Sequence, residues 1–279
     1  MAEADPPIKR ILVALDASPG SRFSIRAAVD LAARFGAELI GLFVEDINLL
    51  RVARLPFARE VSSFSLTLRS LDPEDMKRQL QAQAQTLRRS LAVAAELHRV
   101  HWQFRVAHGP VALEVMRAGA DADLMIMGRT GGSFGGRRLG STVRTMVLGR
   151  PGMTFIAASG LHVASPVTVL FDGSTAGLKA LEIAAPLSVA NDRHLTVVVV
   201  SGSRGEAGDL SDEARRRLAG RPLQLEFRIR VQPSYKGLAW LVRMAGAGPV
   251  VFPCGSEILE GEPLCALVDE IPNPVLLVR

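Results

Sequence analysis

The chain has two cysteines, one tyrosine and two tryptophans among its 279 residues. Cys254 and Cys265 stand eleven residues apart, a spacing that fits neither a zinc site nor a disulfide framework. The five histidines are scattered, and none makes a metal-binding pair such as H-E-x-x-H. No apolar run reaches the ~18 residues that a membrane span needs. "VTVLF" and "LTVVVVS" are short, β-branched and bounded by polar residues, so they read as buried strands. The first residues, "MAEADPPIKR", hold no apolar core and no cleavage site, unlike a secretory leader. These absences predict a cytoplasmic protein that is not integral to a membrane. Acid is missing from one place in particular. Between residues 124 and 171 there is no Asp or Glu, while Arg129, Arg137, Arg138, Arg144 and Arg150 all fall there. The net charge of +5 favours anionic ligands but is too mild to predict nucleic acid as a partner.

What is present is a repeat. "ILVALDASPGSRFSIRAAVDLAARFGAELIGLFV", from Ile11, lies over "VTVLFDGSTAGLKALEIAAPLSVANDRHLTVVVV", from Val167, at a constant offset of 156. Asp16 falls on Asp172, Ser18 on Ser174, Ala28 on Ala184 and Val44 on Val200. The ends of the halves correspond as well. "DADLMIMG" answers to "GAGPVVFPCG", with Gly128 set against Gly255, and "RPGMTFIAA" answers to "IPNPVLLVR". The reading is two tandem domains, residues 1–160 and 161–279, joined near residues 159–165.

Each half alternates strand and helix. In the first, strands are predicted over 9–14, 38–44, 124–127 and 153–158. Helices are predicted over 21–35, 73–98, 111–117 and 141–148. Asp72 caps the long helix, Pro73 suits its first turn, and Met76, Leu80, Leu87, Leu91 and Ala94 recur at helical spacing. "VHWQFRVAHG" alternates, with Trp102, Phe104 and Val106 on one face, and is a further strand. Such alternation gives an α/β fold with doubly wound parallel sheets, two in tandem here. Ligands of these sheets bind beyond the carboxyl ends of the strands, where strand order reverses. Asp16, Val44 and Gly128 all lie at such ends.

The acid-free stretch contains "GRTGGSFGGRRLGST", residues 128–142, with six glycines and three arginines. Glycines let backbone N–H groups approach an anion, and a helix start adds partial positive charge. The run follows a strand and leads into a helix that opens with Ser141 and Thr142, whose hydroxyls could bind phosphate or only cap the helix. It is neither a G-x-x-x-x-G-K-[ST] loop nor a G-x-G-x-x-G fingerprint.

"ILVALDAS", "LIGLFVED", "VAHGPVALEVMRAGADADLMIMGRTG" and "LGSTVRTMVLGRPG" resemble universal stress protein domains, and the whole chain resembles a tandem member of that family. The resemblance implies an adenine nucleotide alpha hydrolase-like fold with pseudo-twofold related halves. ATP-binding members carry G-x2-G-x9-G-[ST]. Here Gly128, Gly131 and Gly140-Ser141 match it with eight residues, not nine, in the long gap. The resemblance implies that Asp16 contacts the nucleoside, with Ala14 and Leu15 beside it, and that Val44 meets adenine through its backbone. Met127 and Gly128 would border the ribose. Gly131, Gly140, Ser141 and Thr142 would hold the phosphates. Arg129, Arg137 and Arg138 are added from charge alone. Against these roles, Asp16 could simply cap its turn, as Asp172 would in the other half, and Val44 and Met127 could be core.

The second half lacks the glycine run. After "VVFPCG" comes "SEILEGEPLCALVDEIPNP", with five acids. A shorter, acidic loop repels phosphate, so that half is expected to carry no site and to serve as a built-in partner. The resemblance implies pairing through the last strands of the halves. An insert, residues 47–71, carries Arg51, Arg54, Arg59 and Arg69 among apolar residues. It reads as a helix and loop packed on the domain or as a lid, in preference to a membrane-surface element, with a partner-binding segment as a further alternative. No nucleophile–base set is legible, and no carboxylate in the glycine run could hold Mg²⁺. The expected function is an ATP-binding stress-response or signalling module with one site, with at most slow hydrolysis. A nucleotide-independent scaffold is the alternative, and a homodimer or an unknown protein partner fits either.

Overall fold

A computed structural model describes residues 8–55, 57, 59–61, 68–129, 138–149, 152–158, 166–190, 192–255 and 259–279. The first half begins with β1 (Arg10–Leu15), α1 (Gly20–Phe35) and β2 (Glu38–Asp46). It continues through α2 (Ile47–Ala53), a small hairpin of β3 (Arg59–Val61) and β4 (Leu68–Ser70), and the long α3 (Pro73–Leu97). It closes with β5 (Trp102–Gly109), α4 (Val111–Gly119), β6 (Leu124–Gly128), α5 (Ser141–Gly149) and β7 (Met153–Ala157). The second half repeats this without α2 and the hairpin: β8 (Val167–Phe171), α6 (Thr175–Val189), β9 (His194–Ser201), α7 (Arg204–Leu218), β10 (Gln224–Val231), α8 (Tyr235–Ala245), β11 (Val250–Pro253), α9 (Gly261–Glu270) and β12 (Val275–Val278).

Ten strands make one sheet in the order β10-β9-β8-β11-β12-β7-β6-β1-β2-β5. Every pairing in it is parallel except β12 with β7, which run antiparallel with Leu276 opposite Phe155. The halves therefore meet through their last strands, as the resemblance implies.

Alternation along each strand splits the core in two. In β1, Ile11, Val13 and Leu15 enter a cluster with residues of α1, α3, α6 and α7. Leu12 and Ala14 point the other way, into a cluster built from α4, α5, α8 and α9. Each cluster draws on both halves, so both faces of the sheet are buried across the junction.

Local chemistry sets the helix ends. Asp72 accepts the N–H of Glu74 at 2.8 Å and Pro73 opens the first turn of α3. Gly36 ends α1 in the left-handed conformation at φ 64°. Gly41 of β2 sits under α3, where an added Cβ would lie 2.5 Å from Leu91 Cδ2 and 2.9 Å from Phe104 Cδ2. In β5, Trp102 and Phe104 pack inward but Val106 is exposed, because β5 is an edge strand.

The repeat at the end of the halves is shifted from the sequence alignment. Val13 pairs with Ile126 and Val169 pairs with Val251. Two residues further on, Pro253 takes the place of Gly128, and Gly255 lies beyond the strand. The glycines invite alignment with each other, but hydrogen-bond register follows the buried side chains of the strand.

Candidate functional site

Strand order in the first half reverses at β1, which has β2 on one side and β6 on the other. Beyond the carboxyl ends of these three strands lies a cavity of about 280 Å³. Its polar and small linings are Ala14, Asp16, Gly128, Gly140, Ser141 and Thr142, and its apolar wall includes Val44 and Met127. The volume is near the lower end of the ~300–1,000 Å³ typical of ligand pockets. A larger cavity, about 750 Å³, lies at the junction of the halves between the end of α4, the start of β7 and α6. It gathers no helix start and lies away from the strand-order switch, so the smaller one carries the stronger case.

Asp16 follows β1 directly. Its Oδ1 accepts the backbone N–H of Ser18 at 3.0 Å, the Ser18 hydroxyl at 2.5 Å and the Ser21 hydroxyl at 2.8 Å. The Ser21 hydroxyl in turn accepts the Asp16 N–H at 2.9 Å. One carboxylate oxygen thus fixes the turn into α1, while the residue still lines the cavity. The structural role and a ligand-facing position coexist.

Val44 is half-buried and Met127 is buried, and both border the cavity. Gly140 stands just before α5, and Ser141, Thr142 and Val143 are its first turn, whose leading N–H groups have no partner within the helix. Gly140 N–H itself donates to the Arg129 carbonyl at 3.0 Å, which closes the neck of the glycine run. Gly131 and Arg137 lie outside the described residues.

Arg129 is not among the residues that line the cavity. Its guanidinium turns to the second half, donating to the carbonyls of Val268 and of Asn273, the latter at 2.8 Å. Burial there pushes its pKa below the usual guanidinium value, and the nearby Asp269 carboxylate opposes that shift. Arg138 faces away too, into a polar recess shared with Arg144, Glu262 and Asp269. Net charge along a segment does not reveal which way each side chain points. Sequence reasoning also passed over Leu42, Val111, Val115 and Val143 as cavity walls. The i, i+4 pair Val111 and Val115 at the start of α4 was the signal available.

In the second half the corresponding places hold larger side chains. Leu170 replaces Ala14, Phe252 replaces Met127 and Pro253 replaces Gly128; Leu170 and Phe252 are buried in one cluster with Cys254 and Leu259.

The sequence model of the universal stress protein family matches residues 7–149, just over half of the chain. This chain belongs to the universal stress protein family. Among solved structures, a universal stress protein from Archaeoglobus fulgidus is 16% identical and superposes with a TM-score of 0.71. The match covers 96% of this chain and 95% of that one. A functionally unknown protein from Pseudomonas aeruginosa is 14% identical with a TM-score of 0.60, over 98% of this chain and 93% of its own. At these identities the likeness is one of fold. Comparison with curated proteins gives no match.

Two further features bear on the chemistry of this universal stress protein. Among the described residues no helix is long and apolar enough to cross a membrane. Among the described residues the insert contributes none to the cavity wall. Instead α2 packs Leu50 against Phe43, Leu80 and Ala84, leaving Leu49, Val52, Leu55 and Phe57 exposed.

Proposed function

We propose that the first half of this protein binds an adenine nucleotide, ATP in the first instance, and that the chain acts as a stress-response or signalling module with a single site. One observation carries the reading. Eight residues singled out from sequence (Ala14, Asp16, Val44, Met127, Gly128, Gly140, Ser141 and Thr142) line a single cavity at the strand-order switch. Aliphatic walls suit a flat base, and the free amides at the start of α5 suit phosphate oxygens. Asp16 is the only acid among the described lining residues, and its Oδ1 already serves the turn. Among the described residues no general base is poised, which favours binding over fast hydrolysis. A Mg²⁺ ion carried with the nucleotide would rest mainly on its phosphates, with the Ser141 and Thr142 hydroxyls nearest.

The second half, with its larger side chains and acidic loop, serves in this reading as the partner of the first and not as a second site. The one-residue-short gap between Gly131 and Gly140 and the engagement of Arg129 elsewhere favour a second reading, a nucleotide-independent scaffold.

The deciding measurement is nucleotide content. Purified protein is denatured and its supernatant is resolved by ion exchange. The proposal expects about one adenine nucleotide per chain at saturation, lost in Gly140→Asp, whose carboxylate would repel phosphate. None, together with no ATP binding by calorimetry, selects the scaffold.

A further inference from the structure

The two ends of the glycine run are held by the half that has no glycine run. At its entry, the Arg129 guanidinium donates to the Val268 and Asn273 carbonyls, on α9 and the turn that follows it. At its exit, the Leu139 N–H donates to Asp269 Oδ1 of α9 at 2.7 Å. Between them, Gly140 N–H donates to the Arg129 carbonyl. One residue later the first turn of α5 begins, and further along it Arg144 pairs with Glu262 of α9.

The holder is itself rigid. Asn273 is buried, and its Nδ2 donates to the carbonyls of Gly246 and Gly248 at 2.8 Å each. Asp269 lies on a helix whose Leu264, Cys265, Leu267 and Val268 are buried. A charge-assisted hydrogen bond from a backbone N–H to a carboxylate is stronger than a neutral one. It falls here on the residue just before Gly140, so it fixes where the amides of Gly140, Ser141 and Thr142 stand. None of Val268, Asp269 or Asn273 lines the cavity.

We propose that Asp269 is a positioning residue for the phosphate end of the nucleotide site, and that the second half, through Asp269 and the Arg129 clamp, holds the neck of the glycine run in its binding geometry. The inference rests on the nucleotide reading of the first half and deepens it. The second half is then a working part of the site at a distance, and whatever loosens the contact between α5 and α9 loosens phosphate binding. Base and ribose contacts, which come from β1, β2 and β6 of the first half, do not depend on it.

That division gives the test. Dissociation constants for ATP and for adenosine are measured by calorimetry on the full chain, wild type and variants. Asp269→Ala removes the acceptor for Leu139 N–H and is expected to weaken ATP about tenfold, while adenosine changes less than twofold. Asp269→Asn keeps an oxygen at the same place and is expected to restore most of the ATP affinity. Should Asp269→Ala unfold, Arg129→Gln tests the entry clamp and is expected to give the same selective loss. Equal losses for ATP and adenosine, or unchanged ATP binding in a folded Asp269→Ala, overturn the inference and leave the nucleotide reading standing. A wild type that binds neither ligand overturns both.

Discussion

Asp16 and Asp172, 156 residues apart, build the same turn. Each accepts the N–H of the serine two residues on, at 3.0 and 3.1 Å, and the hydroxyl of that serine at 2.5 and 2.6 Å. Asp16 also borders the cavity beyond β1. Substituting each to alanine therefore separates the two roles. Both variants are expected to lose about 1 kcal/mol of stability through the lost hydrogen bonds of the turn. Only Asp16→Ala should also lose nucleotide. Asp16→Asn keeps the acceptor for Ser18 and should retain the stability. Thermal melting and nucleotide titration on the three proteins check this; equal nucleotide loss in Asp172→Ala would falsify the assignment.

The second half shows how such a cavity is closed. Leu170 stands where the first half has Ala14, and it is buried. Ala14→Leu is expected to place a side chain in the cavity, keep or slightly raise the melting temperature, and abolish copurifying nucleotide. Ion exchange of the denatured supernatant reads it out.

Gly41 tests the packing of the long helix. A Cβ there would meet the buried side chain of Leu91 at 2.5 Å. Gly41→Ala should destabilise by about 1–3 kcal/mol as α3 is pushed outward. Urea unfolding measures it, and a neutral result would mean α3 sits loosely on β2.

Cys254 gives a pH prediction. Burial pushes its thiol up to about 11, and the Arg279 charge offsets this only in part. A thiol raised on folding is neutral in both states at pH 7, so its stabilising contribution is intact there. That contribution declines as pH climbs from the free-thiol range, ~8.5, through the folded value. Thiol reagents at pH 7.5 should leave folded Cys254 unlabelled and modify it after denaturation, as mass spectrometry of the peptide would show. Prompt labelling of the native protein would argue for an exposed thiolate instead.

Much of this was legible in the residues. The 156-residue offset, the β-branched runs and the Asp72–Pro73 helix start fix strands and helices because local periodicity and capping act within a few residues. Ala14, Asp16, Val44, Met127 and Gly128 were legible as neighbours because strand ends in a doubly wound sheet converge by topology. Arg129 was not. It follows a glycine in an acid-free stretch, and only the packed second half supplies the carbonyls that draw it away. Asp269 was passed over because its partner, Leu139, is 130 residues distant and contributes only a backbone N–H. The register of β11 failed on a glycine that looked like a match but lies past the strand.

The antiparallel seam between β7 and β12 has a consequence for how this protein can change. In a pair of identical chains, every substitution appears on both sides of the axis at once. A second site cannot be given up without giving up the first. Here the seam is written once, within one chain, and each side of it mutates alone. The partner strand is always present, tethered at high effective concentration whatever the protein's abundance. Pairing cannot be lost by dilution, nor can a mismatched neighbour take the place. The unequal halves, one open at Ala14 and one filled by Leu170, are the kind of asymmetry that only such an arrangement can inherit.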